Sequence, residues 1–375
     1  MSKSILILTN PLPYSKVGSW TTMYNYYFQN TKHQFDYIIC PKPDVDLFNT
    51  VEYSFVKPIS FFSKLKVKFK VEHRLQNYFS ALDKIIKPNE KYVIQIVDNS
   101  GLVVPLNEHL NKHYLRENFY IQYYYQGFSP IILNPTETLF YNGINELLFL
   151  TKMSYVVFLR YYNDFVCNTS ILHNATNSKQ FFKLDKASKE AQRKEMGYSS
   201  KLIFLWCSQD RPKKGLDLML QVWKKIYLKH NQEIELLIVG TNRAIDIEGV
   251  KVVGRIPNNE LAKYYQISDF YLFPSLWKEG FGIVLAEALK CGCYCIASNQ
   301  GGIPEVLEFG KLGRLIENPN FIDEWVDTIE KGIEEYKSNN YENPFFKYIK
   351  DDLYDMDIWS ARMNTLIIEA KIALA

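Results

Sequence analysis

Phe273-Pro274-Ser275-Leu276-Trp277-Lys278-Glu279-Gly280-Phe281-Gly282-Ile283-Val284-Leu285-Ala286-Glu287-Ala288-Leu289 reads as a strand end, a loop holding two glycines and a short apolar helix. Gly280 and Gly282 leave the backbone open to a ligand. The free amides and positive dipole end of a helix starting near Gly282 suit phosphate oxygens. Glu287 falls about one turn into that helix, among apolar neighbours. A carboxylate there is costly unless it accepts strong hydrogen bonds, and a ribose diol offers two. Glu279 stands in the loop itself, placed for a second polyol. Two acids around a phosphate nest describe a nucleotide-sugar pocket. The competing reading is a solvated loop acid and a capped surface acid.

Outward from this segment the chain alternates strands with helices. Leu202–Trp206, Glu235–Val239, Val250–Val253, Phe270–Phe273, Tyr294–Ala297 and Arg314–Ile316 read as strands, with helical patterns at Leu216–Leu228, Asn259–Ile267 and Ile283–Leu289. An earlier series runs through Ile5–Leu8, Tyr37–Cys40, Tyr92–Val97, Phe119–Tyr125 and Ser170–Leu172. Between the two series, about Lys183–Ser200 is polar and Lys/Glu-rich, as a linker helix would be. The pattern predicts an α/β protein of two doubly wound, Rossmann-like domains facing a cleft: residues 1–182, and residues 183–355. The final helix, about Ile358–Leu374, carries Trp359, Met363, Leu366, Ile367 and Ala370 at helical spacing and needs a partner surface. The segment 356–375 is therefore returned to the first domain.

A length of 375 residues suits two cores, and 47% hydrophobic with 23% charged residues excludes a disordered chain. A net charge of +3, with no basic stripe interleaved with aromatics, argues against nucleic acid. Ser2-Lys3-Ser4 followed by Ile5–Leu8 lacks the apolar core of a signal peptide, and Lys152, Arg160 and Asp164 interrupt the best candidate span. A cytoplasmic protein is expected. Cys291, Cys293 and Cys295 alternate with Gly292 and Tyr294, which fits a helix end entering a buried strand better than a metal clip, since no fourth ligand stands nearby.

A second cluster follows Leu202–Trp206, in Cys207-Ser208-Gln209-Asp210-Arg211-Pro212-Lys213-Lys214-Gly215. A diphosphate leaving group needs its charge neutralised, and fixed Arg and Lys do this without a metal; solvated surface cations are the alternative.

With Glu279, seven residues, then Glu287, with Gly-Phe-Gly after the first acid, and with Pro274-Ser275 and Ser298-Asn299-Gln300-Gly301-Gly302-Ile303-Pro304-Glu305 as flanks, the sequence resembles the retaining glycosyltransferases of family 4, of the GT-B fold. The resemblance covers most of the chain, strongly over about residues 200–305 and weakly before 170. It implies that Glu279 binds donor-sugar hydroxyls, that Gly280, Phe281, Gly282 and Ile283 line the sugar and phosphate, and that Glu287 holds the ribose. Lys214 matches the family's diphosphate-binding Lys-Gly, while Gln209 occupies the place of its Arg, leaving Arg211 as the substitute. Ile171–Thr176 with Phe181 resembles the interdomain segment. The loop Gly254-Arg255-Ile256-Pro257 resembles the one that reads the base, and Lys16-Val17-Gly18-Ser19 the N-terminal glycine loop that approaches the phosphates. Ser208 falls with the donor-binding set. Tyr125-Gln126-Gly127 departs most, because many members carry His at the position of Gln126. Tyr294 departs from a customary Pro.

The resemblance implies transfer of a hexose-type sugar from a UDP- or GDP-sugar to a saccharide or lipid-linked saccharide, with retention, in cell-surface polysaccharide or glycan synthesis. It expects no cofactor and no metal. Asp44-Val45-Asp46 and Asp355-Met356-Asp357 fit the Asp-x-Asp of metal-dependent transferases, but so short a motif recurs by chance. Lys64, Lys66, Lys68 and Lys70 alternate with apolar residues, giving either a solvated basic face or a peripheral contact of residues 57–91 with anionic lipid at the inner face of the membrane. A nicotinamide oxidoreductase is disfavoured, as Thr9–Trp20 holds one glycine where Gly-x-Gly-x-x-Gly is needed. Two other readings stand beside the transferase: a noncatalytic nucleotide-sugar-binding partner of another transferase, and a sugar-nucleotide epimerase. Sugar, base, acceptor, linkage and oligomeric state are not legible.

Overall fold

The computed structural model describes residues 2–14, 18–58, 75–131, 137–162, 166–198 and 201–375. The expected Lys64–Lys70 face and the residues Lys16 and Val17 lie outside them. The chain forms two compact units, Met1–Asn174 with Met356–Ala375, and Ala175–Asp355.

The first unit contains β1 (Lys3–Ile7), α1 (Ser19–Asn30), β2 (Tyr37–Pro41), β3 (Glu52–Val56), α2 (Gln76–Leu82), β4 (Tyr92–Val97), α3 (Ser100–His113), β5 (Phe119–Tyr124), α4 (Glu137–Asn142), β6 (Glu146–Phe149), α5 (Lys152–Leu159) and β7 (Asn168–Ile171). Its strands are parallel in the order β3-β2-β1-β4-β5-β6-β7. Parallel strands are covered on both faces and read as near-continuous apolar runs, as Tyr-Val-Ile-Gln-Ile-Val of β4 does. Two strands escape the sequence reading. In β3, at the sheet edge, Glu52 and Ser54 interrupt the apolar pattern. In β6 the leading residue is Glu146, whose buried carboxylate accepts hydrogen bonds from Gln122 Nε2 (2.8 Å) and Ser170 Oγ (2.6 Å) on the flanking strands. Gln122 Oε1 in turn accepts from Gln95 Nε2 (3.1 Å), and Gln95 Oε1 from the Tyr24 hydroxyl (2.5 Å). A buried polar ladder across five elements thus replaces apolar packing, with its hydrogen bonds satisfied.

The second unit contains α6 (Lys186–Glu195), β8 (Leu202–Cys207), α7 (Leu216–His230), β9 (Ile234–Val239), β10 (Val250–Gly254), α8 (Asn258–Ile267), β11 (Phe270–Phe273), α9 (Ile283–Lys290), β12 (Tyr294–Ser298), α10 (Ile303–Val306), β13 (Arg314–Ile316) and α11 (Ile322–Ser338). Its parallel order is β10-β9-β8-β11-β12-β13. Cys291, Cys293 and Cys295 are buried where α9 passes into β12, as the alternation indicates.

Residues 175–182, placed in the first domain from sequence, pack on the second unit. The Phe181 ring meets Tyr265 at 5.9 Å, Gln180 Nε2 donates to the Asn258 carbonyl (3.0 Å), and the Phe182 carbonyl accepts from Gln266 Nε2 (3.2 Å). The run read as a linker helix, α6, is anchored ionically. Asp269 is buried, and burial alone would raise its pKa; Lys189 (2.8 Å) and Arg193 (2.7 Å) hold it below the usual carboxylate range.

The last helix, α12 (Met356–Ala373), finds its partner surface on the first unit. Trp359 packs edge-on against Tyr24 (5.4 Å) and Tyr27 (5.7 Å), and Met363, Leu366, Ile367 and Ala370 are buried. No helix among the described residues is long and apolar enough to cross a membrane.

Candidate donor-binding site

A doubly wound sheet reverses strand order at one point, where the loops leaving two neighbouring strands part and open a crevice. In the second unit that point lies between β8 and β11. The loop after β8 carries Ser208, Arg211 and Lys214, and the loop after β11 carries Glu279, Gly280, Phe281 and Gly282. Two segments singled out separately in sequence therefore meet because of topology.

Their contact is specific. Lys214 Nζ lies 2.6 Å from Glu279 Oε1, with the two side chains 20% and 16% exposed. The same oxygen accepts from Ser275 Oγ at 2.6 Å. Ser275 is fully buried and is the residue the reading did not assign, although it was quoted as a flank of the motif. Lys214 Nζ also stands 5.8 Å from the Phe273 ring centroid. The Leu276 amide donates to the Lys213 carbonyl (2.8 Å), so the two loops are tied through backbone as well.

Glycine makes these approaches feasible at two positions. Gly215 has φ +70°, and a Cβ there would stand 1.9 Å from the Pro274 carbonyl oxygen. Gly301 has φ +63°, and its Cβ would stand 2.4 Å from the Glu279 carbonyl oxygen. That oxygen accepts the Gly302 amide at 2.8 Å. Any side chain would push the three loops apart.

Gly282 caps α9 in the left-handed region with no side chain on the first amides; Leu285 N–H turns back to the Gly282 carbonyl at 2.9 Å, which leaves the Ile283 and Val284 amides to face an anion. Ile283 begins the helix, and Phe281 is buried edge-on against Tyr354 at 5.1 Å. Glu287, on the second turn, is 7% exposed, and its Oε2 is buried without a hydrogen-bond partner. Burial pushes its pKa up to about 8, with a smaller opposing pull from the neighbouring Tyr265 hydroxyl. Such an orphaned acceptor costs roughly 1–3 kcal/mol until a donor arrives.

Gly254 closes β10, and the Arg255 amide donates to Asn242 Oδ1 at 3.1 Å, with Ile256 following half-buried. Arg211 is exposed, and its side chain makes no hydrogen bond or ion pair among the described residues.

Gly18 and Gln126 belong to the first unit. The Gly18 carbonyl accepts from Thr21 Oγ1 (2.9 Å) and Thr22 Oγ1 (2.8 Å) at the start of α1. Gln126 follows β5, and its amide donates to Asp98 Oδ1 at 3.4 Å while Nε2 is buried without a partner. Asp357 accepts from the Tyr26 hydroxyl at 2.6 Å, and among the described residues no group of three His, Cys, Asp or Glu is placed to hold a metal.

An ammonium, a half-buried carboxylate, an amide nest and a buried orphan carboxylate thus stand at one switch point, the donors and acceptors that a phosphorylated polyol would require. Along its full length the chain resembles sucrose-phosphate synthase from Thermosynechococcus elongatus, with a TM-score of 0.74, 16% identity and 100% of each chain covered. It likewise resembles Anabaena HepE, solved with UDP and glucose, at 0.67, 16% and 100% of each chain. These likenesses make the fold GT-B, two doubly wound units in one chain, as expected.

Residues 188–344, within the second unit, match the family described as "Glycosyl transferases group 1". A 180-residue stretch is 27% identical to the GDP-mannose-dependent monoacylated alpha-(1-6)-phosphatidylinositol monomannoside mannosyltransferase of Corynebacterium glutamicum, covering 43% of this chain and 47% of that protein. The chain spans less than half the length of the curated relatives it matches.

Proposed function

We propose that the chain is a retaining glycosyltransferase that moves a hexose-type sugar from a UDP- or GDP-sugar to a saccharide or lipid-linked saccharide without a metal. The observation that carries this reading is the Lys214–Glu279 contact across the switch point, with the orphaned Glu287 one helix turn beyond the amide nest. In this reading Glu287 takes the ribose diol and the first amides of α9 face the diphosphate. Glu279 exchanges its internal partners for sugar hydroxyls, which releases Lys214 toward the leaving group. Arg211, free on the same loop, adds the second positive charge. Positive charge fixed where a diphosphate departs acts as preorganised electrostatic stabilisation. The acceptor would be deprotonated by the departing phosphate rather than by a protein base, so Gln126 need not exchange a proton.

The UDP and glucose in the HepE structure and the GDP-mannose in the corynebacterial relative's name support a nucleotide-sugar donor. The lipid in that name supports a lipid-linked acceptor and a peripheral membrane location.

The test is a thermal-shift screen of the whole chain against UDP, GDP and ADP sugars without added metal. A ligand at 100 times its Kd stabilises by about 2.7 kcal/mol, a shift of a few degrees. Absence of any shift would overturn the reading. The presence of Gln at 126 and 209 favours one alternative, a noncatalytic binding partner, in which the same ligand binds and no nucleotide is released in the presence of any acceptor.

A further inference from the structure

Two stretches that the donor site leaves unused, the Lys- and Glu-rich run 183–198 and the polar turn 336–343, line a single cavity of about 740 Å³ in the second unit. It opens where Leu202 begins β8 and Asp269 precedes β11. It therefore lies at the amino ends of the strands whose carboxyl ends lead to Lys214 and Glu279. None of the residues assigned to donor binding lines it. The volume suits a small organic molecule.

The chemistry of its lining is specific. Positions 186, 189, 190, 193 and 194 fall on one face of α6, and all five line the cavity. Lys189 and Arg193 are consumed by the buried Asp269, which also accepts from the Tyr336 hydroxyl at 2.8 Å. Lys183 faces Glu342 at 3.4 Å, and Asp185 caps the helix through Ser188. Lys186, Lys194 and Glu190 keep no ion pair among the described residues, which leaves the rim with one net positive charge.

Tyr198, Tyr336 and Tyr341 supply aromatic wall. Tyr341 is 58% exposed and held at φ +60°, directly after Asn340 at φ +56°. The left-handed pair ends α11, as residues just past a helix C-terminus commonly do, and leaves the Tyr341 ring exposed at the cavity rim. The turn is fixed by the Tyr341 amide donating to the Tyr336 carbonyl at 2.9 Å, with the two rings edge-on at 6.4 Å.

We infer that this cavity is a second binding site, distinct from the donor site, for a small molecule with an aromatic body and a single negative charge. The ring lies against Tyr198 and Tyr341, and the anionic group is met by Lys186 and Lys194.

The test is a fluorescence titration of the full chain with 8-anilinonaphthalene-1-sulfonate as the aromatic monoanion and N-phenyl-1-naphthylamine as its uncharged counterpart. Saturable binding of the sulfonate is expected, at least tenfold tighter than that of the amine. The double variant K186E/K194E, at exposed positions that spare the fold, should weaken the sulfonate at least tenfold and leave the amine unchanged, and Tyr341→Ala should weaken both. Unchanged melting temperatures check that the variants are folded. Sulfonate binding that is indifferent to all three substitutions, or no stronger than amine binding, overturns the proposal.

Discussion

The loops that leave the strands are tied differently in the two units. In the second unit the loops after β8, β11 and β12 are joined side chain to side chain and backbone to backbone, through Lys214, Glu279, Ser275, Gly215 and Gly301. In the first, among the described residues, the Gln126 N–H after β5 donates to Asp98 Oδ1 after β4 at 3.4 Å, and the Gln126 side-chain Nε2 is buried without a partner. The difference teaches that the loops proposed to hold the donor are tied to one another before a ligand arrives, whereas Gln126 keeps hydrogen-bonding capacity unused. Preorganisation reduces the entropy a bound ligand must offset, which suits a fixed substrate such as a nucleotide-sugar.

The contrast can be broken first at its tightest joint. Gly215→Ala drives a Cβ into the Pro274 carbonyl, whereas Gly197→Ala places one at nearly the same φ, +75°, in open space. Strain alone costs about 1–2 kcal/mol at either site, and the clash adds to it at 215, so Gly215→Ala should lose upwards of about 3 kcal/mol. Urea unfolding of both variants measures the difference, and equal losses would contradict a welded donor site.

Next in size is Glu279→Gln. It removes the charge that meets Lys214, and if Glu279 turns to the sugar its loss should lower kcat by about 10²–10³. Nucleotide release under saturating donor reads this, with Kd from calorimetry to separate binding from turnover.

Glu287 gives a pH signature. Its pKa is raised to about 8 in the folded chain against 4.5 for the free side chain. Between those values the folded state holds a proton the unfolded state has lost, so the contribution of this group to stability is full below pH 4.5 and falls as pH rises toward 8. Glu287→Gln should therefore flatten the decline in stability between pH 5 and 8 by several kcal/mol at most. Ribose hydroxyls donating to the carboxylate favour its charged form, so donor binding at pH 7 should release close to one proton. Calorimetry in buffers of different ionisation enthalpy counts it, and zero release would remove Glu287 from the ribose.

The smallest effect is expected in the loosely tied half. Gln126→Ala should change donor affinity by no more than about fivefold, since a single neutral hydrogen bond contributes about 1 kcal/mol where it is made. A tenfold loss of donor affinity would show that the two halves are not separable in this way.

Periodicity made the main strands legible wherever both faces are buried in apolar residues, as in β4, β5, β8 and β11. It failed at β6, because Glu146 is solvated by its neighbours' side chains rather than by water, and at β3, because an edge strand has less to bury. The loops proposed to hold the donor stand out in sequence for a related reason: phosphate and polyol recognition demands glycine, acid and base within a few residues, which leaves a local mark. Ser275 and Gly301 carried no chemistry of their own in sequence. Their role is to hold Glu279.

The sequence by itself determined the alternation of strand and helix, the two-unit organisation, and the acids and cations that a nucleotide-sugar site requires. All of these depend on neighbours close in the chain. Only the tertiary structure decided that Lys214 reaches Glu279, 65 positions away. It alone decided that residues 175–182 side with the second unit, that α12 closes the first, and that α6 and the turn after α11 share a cavity. Contacts across such separations follow from strand order, and strand order is settled by burying every face of both sheets at once.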